Sequence, residues 1–337
     1  MSATMQAAVL QGTGGPEVLR HTSVPLGWPA GSHDVLVRLK AAGLNPADGF
    51  FRQLGPYLDS GDPCILGHDG AGTIEAVGSG VTRFAPGDAV CFCNGGIGGH
   101  PGTYAQFAVV PESQLAAKPT SVSFEQAAAL PLVLITAWEA LYERAAVARD
   151  ERVLIHAGAG GTGHVAVQLA ALRGARVAAT VSDADKAAFV QDLGAERPIC
   201  YPEEDFVAAV TEWADGTGVD VALDNIGPQG LQRTYRAMAR YGRIVTLMGI
   251  AADDDDETAY LSNLTLHNVM MLTPMIAGLQ RRLDAQARLV EQGIGLLAEG
   301  RLRIHVREVF DWRDIRAAHE RLDAGHTTGK LVIRIAD

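Results

Sequence analysis

The sequence predicts an α/β protein of two domains, one rich in β-strands and one a doubly wound parallel sheet. Three observations predict it. From Gln6 to about residue 125 the apolar runs are short and separated by glycine and proline turns, as in a curled sheet of short strands. Beyond residue 150, strand-like and helix-like runs alternate, which is the pattern of a parallel sheet covered by helices on both faces. Residues 152 to 186, RVLIHAGAGGTGHVAVQLAALRGARVAATVSDADK, pass from strand through a glycine turn and a long helix to a second strand without a break. A length of 337 residues exceeds a usual single domain, and an apolar content of 47% is enough for two cores.

In the first domain the strand signals are QAAVLQ, DVLVRLKAAG, GAGTIEAVG and YAQFAVV. The stretch Asn94 to Gly102, NGGIGGHPG, has the glycine content of a phosphate loop, but alternating residues follow it where a helix would be needed. It is read as a flexible loop with His100 exposed. At Ser123, a helix N-cap, the character changes, and FEQAAALPLVLITAWEALYERA reads as helix. A domain boundary is therefore expected near residue 125.

The run Arg152 to Ala157 suits a strand buried on both faces, and Gly158, Gly160 and Gly163 follow it as G-x-G-x-x-G. In such a motif the first glycine permits the tight turn, the second lets a pyrophosphate approach the backbone, and the third lets the helix sit close to the sheet. Val165, Leu169 and Leu172 continue at helical spacing, so the positive end of that helix points back at the loop, where Gly161 and Thr162 lie. An anion belongs there, and the strand Ala175 to Val181 completes the βαβ unit of a Rossmann dinucleotide site. The end of this second strand selects the cofactor, because NAD calls for a carboxylate on the ribose and NADP for its absence and a cation or hydroxyl instead. The strand ends Thr180, Val181, Ser182, with Lys186 one helical turn on, so the site favours NADPH. Asp183 and Asp185 oppose this if they face the 2′-phosphate.

The later elements continue the alternation: PICY, the helix DFVAAVTEW, the strand VDVALD, the helix LQRTYRAM and the strand GRIVTLMG. Strand ends in such a sheet face the ligand, which makes Asn225, Ile226, Met248 and Gly249 neighbours of the cofactor. Thr265 to Thr273 suits a final edge strand, and an apolar edge needs a cover such as a symmetric partner. The helix Arg281 to Gly300, the strand IHVREVF, the helix DIRAAHERLDAG and the strand GKLVIRI are expected to return to the first domain.

A net charge of -11 and a pI near 5.4 argue against nucleic-acid or anionic-membrane partners. The acidic run Asp253 to Glu257 reads as a solvated loop without chelating spacing. The start MSATMQAAVLQG has neither a basic nor an apolar targeting segment, and no apolar stretch reaches membrane-spanning length, so a cytoplasmic protein is expected. Cys64, Cys91, Cys93 and Cys200 are too few and scattered for a disulfide framework; Cys91 and Cys93 read as a buried pair of small thiols.

Several ordered stretches together carry a resemblance: QGTGGPEVLR, AAGLNPADGFFRQ, ILGHDGAGTIEAVGSGV, GDAV, AAALPLVLITAWEAL, HAGAGGTG and the closing TGKLVI. The chain resembles the zinc-independent quinone oxidoreductases of the medium-chain dehydrogenase/reductase superfamily, the zeta-crystallin-like branch, nearly end to end. The resemblance implies a GroES-like β-rich catalytic domain of residues 1–124 and 275–337, a Rossmann NADP(H)-binding domain of residues 125–274, and a homodimer formed through edge strands. It also implies that Thr136, in ITAW, borders the nicotinamide, that Tyr201, in CYPEEDF, lies beside the 2′-phosphate, and that Asn45 and Lys330, in TGKLVI, belong to the cofactor site. Zinc-dependent relatives hold their metal with a cysteine, a histidine and a third residue. Here Asn45 stands for the cysteine and Leu132 for the third ligand, so His68 alone remains and no metal is expected. Asp69 stands where many relatives have glutamate.

Without a metal to polarise a carbonyl, an isolated ketone is a poor hydride acceptor, whereas a quinone or an α,β-unsaturated carbonyl delocalises the incoming charge. Those are the expected substrates, reduced by NADPH with Asn45 and Tyr57 as donors to the oxygen that gains charge. Asp48 is expected to orient Asn45, a closing cleft to exclude water, and solvent to supply the proton. Two other readings stand beside this one. An alcohol dehydrogenase or carbonyl reductase of the same superfamily would need a metal or strong acid, and a non-catalytic NADPH-binding protein would bind without turnover.

Overall fold

The strand Asp34–Gly43 is buried along most of its length because it is paired on both sides. It runs antiparallel to Asp69–Val77 on one side. On the other, its first half meets Phe107–Pro111 and its last residues meet Lys330–Arg334, with Ala42 opposite Ile333. The chain end therefore does return to the first sheet, and it enters the interior of that sheet, between Val306–Asp311 and Asp34–Gly43. In this computed structural model, which describes residues 3–27, 29, 31–59, 63–249 and 257–335, the chain divides into two units. Residues 1–132 with 272–337 make the first unit and residues 133–271 the second.

The first unit holds the seven-stranded sheet and a two-stranded sheet of Thr4–Leu10 with Leu19–Pro25. Its helix Pro46–Leu54 starts as the central strand ends, with Asn45 in extended backbone as the N-cap and Pro46 at the first helical position, where its missing N–H is harmless. Ser123 caps the helix Phe124–Ala129 as expected: its Oγ accepts from Gln126 N–H at 3.1 Å. The long helix anticipated from there is interrupted, however. It stops at Leu130, before the proline that cannot donate a backbone hydrogen bond, and resumes as Pro131–Trp138.

The stretch Asn94 to Gly102 is a close-packed loop, which corrects its reading as a free one. Ile97 is buried among core residues. A Cβ on Gly96 would sit 2.4 Å from Gly67 O, and one on Gly98 only 1.8 Å from Leu58 O. Both glycines also have positive φ. The glycines serve backbone-to-backbone contact; His100 is exposed as expected.

The second unit is a six-stranded parallel sheet in the order Arg197–Cys200, Arg176–Val181, Arg152–Ile155, Val219–Asp224, Met238–Thr246, Thr265–Asn268. Sequential strands thus step outward from Arg152–Ile155 in one direction and then the other, the Rossmann arrangement with its switch point beside the first strand. Leu154, Ala178, Ile199, Ala222 and Ile244 from five strands share one core with Phe206, Leu231 and Tyr235 from helices. Two boundaries differ from expectation. The fifth strand begins at Met238, ahead of GRIVTLMG, and the sixth ends at Asn268, after which Thr273–Ile276 is a short helix. Of the acidic run, residues 253–256 lie outside the described residues. Among the described residues no helix is long and apolar enough to cross a membrane.

Candidate active site

The glycine turn is built so that each glycine meets a different demand. A Cβ on Gly163 would lie 2.2 Å from Ala157 O, so this position sets how closely the helix Gly161–Leu172 approaches the strand before it. A Cβ on Gly158 would lie 2.7 Å from Ala179 Cβ in the neighbouring strand. The left-handed residue of the turn is Ala157, with φ of 49°, so packing against the neighbouring strand, and not the turn itself, requires glycine at 158. At Gly160, the helix N-cap, a Cβ would meet only Ala157 O at 3.2 Å. The protein's own packing leaves that spot open, as a cradle for a ligand requires. Gly161 and Thr162 in the first turn are half-buried, and the first-turn N–H groups of any helix lack intrahelical acceptors. The residues fit an anion-bearing nucleotide.

At the end of the second strand, Lys186 Nζ donates to Ser182 Oγ at 2.7 Å, and Ser182 Oγ donates to Asp183 Oδ2 at 2.7 Å. Asp183 is the N-cap of the helix Ala184–Asp192; its Oδ1 accepts from Lys186 N–H at 2.9 Å, a bond that heads the causes holding its carboxyl below the usual range. Tyr201 joins this group through the sheet: Cys200 is registered with Val181, and Tyr201 N–H donates to Val181 O at 3.1 Å. Its ring is half-exposed. Ser182, Lys186 and Tyr201 are thus neighbours at one edge of the strand ends.

Asn225 follows the fourth strand and donates from Nδ2 to His156 O at 2.8 Å, leaving its buried Oδ1 without a partner among the described residues. Met248 and Gly249 follow the fifth strand and are exposed, as is Ile226. Thr136 lies buried on Pro131–Trp138. Just before the glycines, the buried His156 bonds Thr180 Oγ1 at 3.2 Å and Thr234 Oγ1 at 2.9 Å. Burial, with the Arg233 charge behind it, lowers its pKa to about 4, so the imidazole is neutral at pH 7.

In the first unit Asn45, Asp48, His68, Asp69 and Lys330 form one buried polar cluster. Asp48 Oδ2 accepts from Asn45 N–H at 2.8 Å and from the Tyr104 hydroxyl at 2.9 Å. The other Asp48 oxygen faces His68 Nε2 at 3.4 Å, while His68 Nδ1 is bonded to Gly95 O at 2.7 Å. Asn45 Nδ2 donates to Asp69 Oδ2 at 2.9 Å, and Leu132 N–H donates to Asp69 Oδ1 at 2.9 Å just past the helix break. Lys330 Nζ donates to Leu44 O at 2.6 Å and to Asn45 Oδ1, and stands 3.8 Å from Asp69 Oδ2. Burial pushes the Asp69 carboxyl up and the Lys330 ammonium down, each opposed by the charge of the other.

Tyr57 is half-exposed in the turn after Pro46–Leu54; its ring stands edge-on to Phe51 at 6.0 Å, and Phe51 stands edge-on to His68 at 5.7 Å. The donors do not suit a catalytic zinc. Asn45 has its side-chain atoms bonded to Lys330 and Asp69, and the Leu132 side chain has no donor atom for a metal. Among the described residues no group of three His, Cys, Asp or Glu side chains is arranged to hold a metal. Burial pushes the Cys91 thiol up to about 12, which leaves it inert.

Beyond these residues, Tyr104 has no clear signal in the sequence, because in YAQFAVV it is in phase with the polar Gln106 and it precedes the strand Phe107–Pro111. Arg52 and His319 have none either: the fully buried guanidinium bonds Gly14 O at 3.1 Å, His319 Nδ1 at 3.0 Å and Asp323 Oδ2 at 2.7 Å, partners up to 271 positions away.

Comparison with known proteins agrees with this architecture. Residues 31–120 match the family described as alcohol dehydrogenase GroES-like domain, and residues 193–333 match the family described as zinc-binding dehydrogenase. A quinone oxidoreductase of Pseudomonas aeruginosa is 33% identical over 321 residues, covering 95% of this chain and 96% of that protein. A 2-haloacrylate reductase of a Burkholderia species is 31% identical over 337 residues, 98% of each. Among solved structures, a mycobacterial protein complexed with NADPH superposes with a TM-score of 0.85 at 30% identity, covering 98% of this chain and 100% of that one. Likeness of this extent decides the family: the chain belongs to the zinc-independent quinone oxidoreductases of the medium-chain dehydrogenase/reductase superfamily and is an oxidoreductase of that family.

Proposed function

We propose that the protein reduces quinones or α,β-unsaturated carbonyls with NADPH and without a catalytic metal. The observation that carries the cofactor choice is the Ser182–Lys186 pair, which sets a hydroxyl and an ammonium where an NAD site would need a carboxylate. Tyr201 beside it would flank the 2′-phosphate. Asp183 caps the helix through Oδ1, while its Oδ2 accepts from Ser182 Oγ and stands 3.5 Å from Lys186 Nζ, so a 2′-phosphate would take over both partners from that oxygen. When bound, the reduced nicotinamide supplies the hydride. Gly158, Gly160, Gly161, Thr162 and Gly163 would hold the pyrophosphate by main-chain N–H groups, and Asn225, Met248, Gly249 and Thr136 would border the remainder.

In the first, GroES-like unit, Asn45 donates from Nδ2 to the acceptor oxygen as that oxygen becomes negative. Asp48 holds the Asn45 backbone, and Tyr57, with its exposed ring, contacts the acceptor from the side. Loss of one such donor costs on the order of 10² to 10³ in rate. The names of the relatives support the substrate class, since one is called a quinone oxidoreductase and another reduces a conjugated haloacrylate. The open edge of Thr265–Asn268, paired only to Met238–Thr246 among the described residues, supports a homodimer, which sedimentation velocity would test.

The deciding assay follows NADPH absorbance against naphthoquinone, phenanthrenequinone, 2-alkenals and simple aldehydes. Turnover is expected with the conjugated acceptors and not with simple aldehydes. Turnover of alcohols dependent on added zinc would overturn the reading, and tight NADPH binding with no acceptor turned over would leave a binding protein.

A further inference from the structure

The amide of Asn45 has a determined orientation. An ammonium can only donate, and Lys330 Nζ donates to Asn45 Oδ1; the carboxylate of Asp69 accepts from Asn45 Nδ2 at 2.9 Å. Turning the amide over would set donor against donor and acceptor against acceptor. One Nδ2 hydrogen then serves Asp69, and no second partner for Nδ2 occurs among the described residues.

Lys330 is 3% exposed, so its charge has been taken out of water. Its bonds go to a backbone carbonyl and to the amide, while Asp69 Oδ2 stays at 3.8 Å. Stability alone is a poor reason for this arrangement, because a buried ion pair generally stabilises no more than a well-packed apolar side chain of similar size. A cation on the carbonyl end of an amide has another effect. It draws charge from the N–H end, and hydrogen bonds in series reinforce one another in a low-dielectric interior.

We propose that Lys330 is a positioning residue for the reduction: it holds Asn45 with Nδ2 toward the acceptor and polarises that N–H toward the oxygen that gains charge. This inference rests on Asn45 being the donor. It reassigns Lys330 from holding the cofactor to acting through the amide, from the far end of the chain.

The test compares Lys330→Met, Lys330→Gln, Asn45→Ala and the double variant Lys330→Met with Asn45→Ala. Dinucleotide affinity is read by NADPH fluorescence, and the hydride step by single-turnover mixing with phenanthrenequinone and with a 2-alkenal. Lys330→Met is expected to keep NADPH affinity within about threefold while slowing hydride transfer about 10- to 100-fold, more for the 2-alkenal, whose oxygen takes a more localised charge. Lys330→Gln, which keeps a donor but no charge, is expected to fall between. The double variant should be no slower than Asn45→Ala, because both changes remove one function. Losses that multiply in the double variant, or a Lys330→Met defect confined to NADPH affinity, would overturn the proposal. A fully active Asn45→Ala would instead overturn the donor role of Asn45, so the two failures are distinguishable. Should Lys330→Met not fold, Lys330→Gln carries the same comparison.

Discussion

Asp183 illustrates how far a single residue can be read from its type. As one of two acids beside the expected 2′-phosphate position it counts against NADPH, yet the folded chain gives it a different task, accepting from Lys186 N–H and Ser182 Oγ as a helix cap. The cation next to it keeps its place by donating to Ser182. Lys186→Glu is therefore expected to weaken NADPH by at least about tenfold relative to NADH, equivalent to about 1.4 kcal/mol; titration of both dinucleotides checks it, and an unchanged ratio would remove the argument. Ser182 and Lys186 were legible because strand end and helix spacing fix their positions. The partner of Lys330 was not, because Asn45 lies 285 positions earlier and nothing local to TGKLVI encodes that contact.

Elements were most legible where their boundary has a local cause. Ser123 begins a helix because its side chain satisfies a first-turn N–H, and the βαβ unit follows from three glycines and periodic apolar residues. The break at Leu130 also had a local sign in Pro131, and its consequence for the site is that Leu132 N–H goes to Asp69. The packing of the loop Asn94 to Gly102 is not legible in the sequence, because glycine permits mobility and close approach alike and only the neighbours decide between them. Gly98, with φ of 88° and Leu58 O in the path of a Cβ, belongs to the second kind. Gly98→Ala is expected to destabilise the protein by more than about 1 kcal/mol, read from the urea midpoint at unchanged m-value. A change within about 0.3 kcal/mol would show that the loop yields.

At the scale of the molecule, each unit encloses a neutral imidazole. His319 in the first accepts from Arg52 and has its pKa lowered to about 4, mainly by burial; His156 in the second is lowered to about 4 for the same reason. Since these values lie below the unfolded value near 6.5, the unfolded chain takes up protons first as pH falls. Stability from this source is complete above about pH 6.5 and is lost progressively toward pH 4, on the order of 2–4 kcal/mol for each histidine. Urea midpoints at pH 7.5, 6 and 5 should fall in that order, and a flat series would mean that the rings are already charged.

The position of Lys330–Arg334 inside the first sheet also orders events during synthesis. A ribosome finishes residues 133–271 while the first sheet still lacks two strands, Val306–Asp311 and Lys330–Arg334. Until Lys330–Arg334 has been made, Asp34–Gly43 has an open flank near Ala42 and Asn45 has no ammonium to turn it. The first sheet can therefore close only after translation has passed Arg334, which makes it the later of the two to complete its pairing.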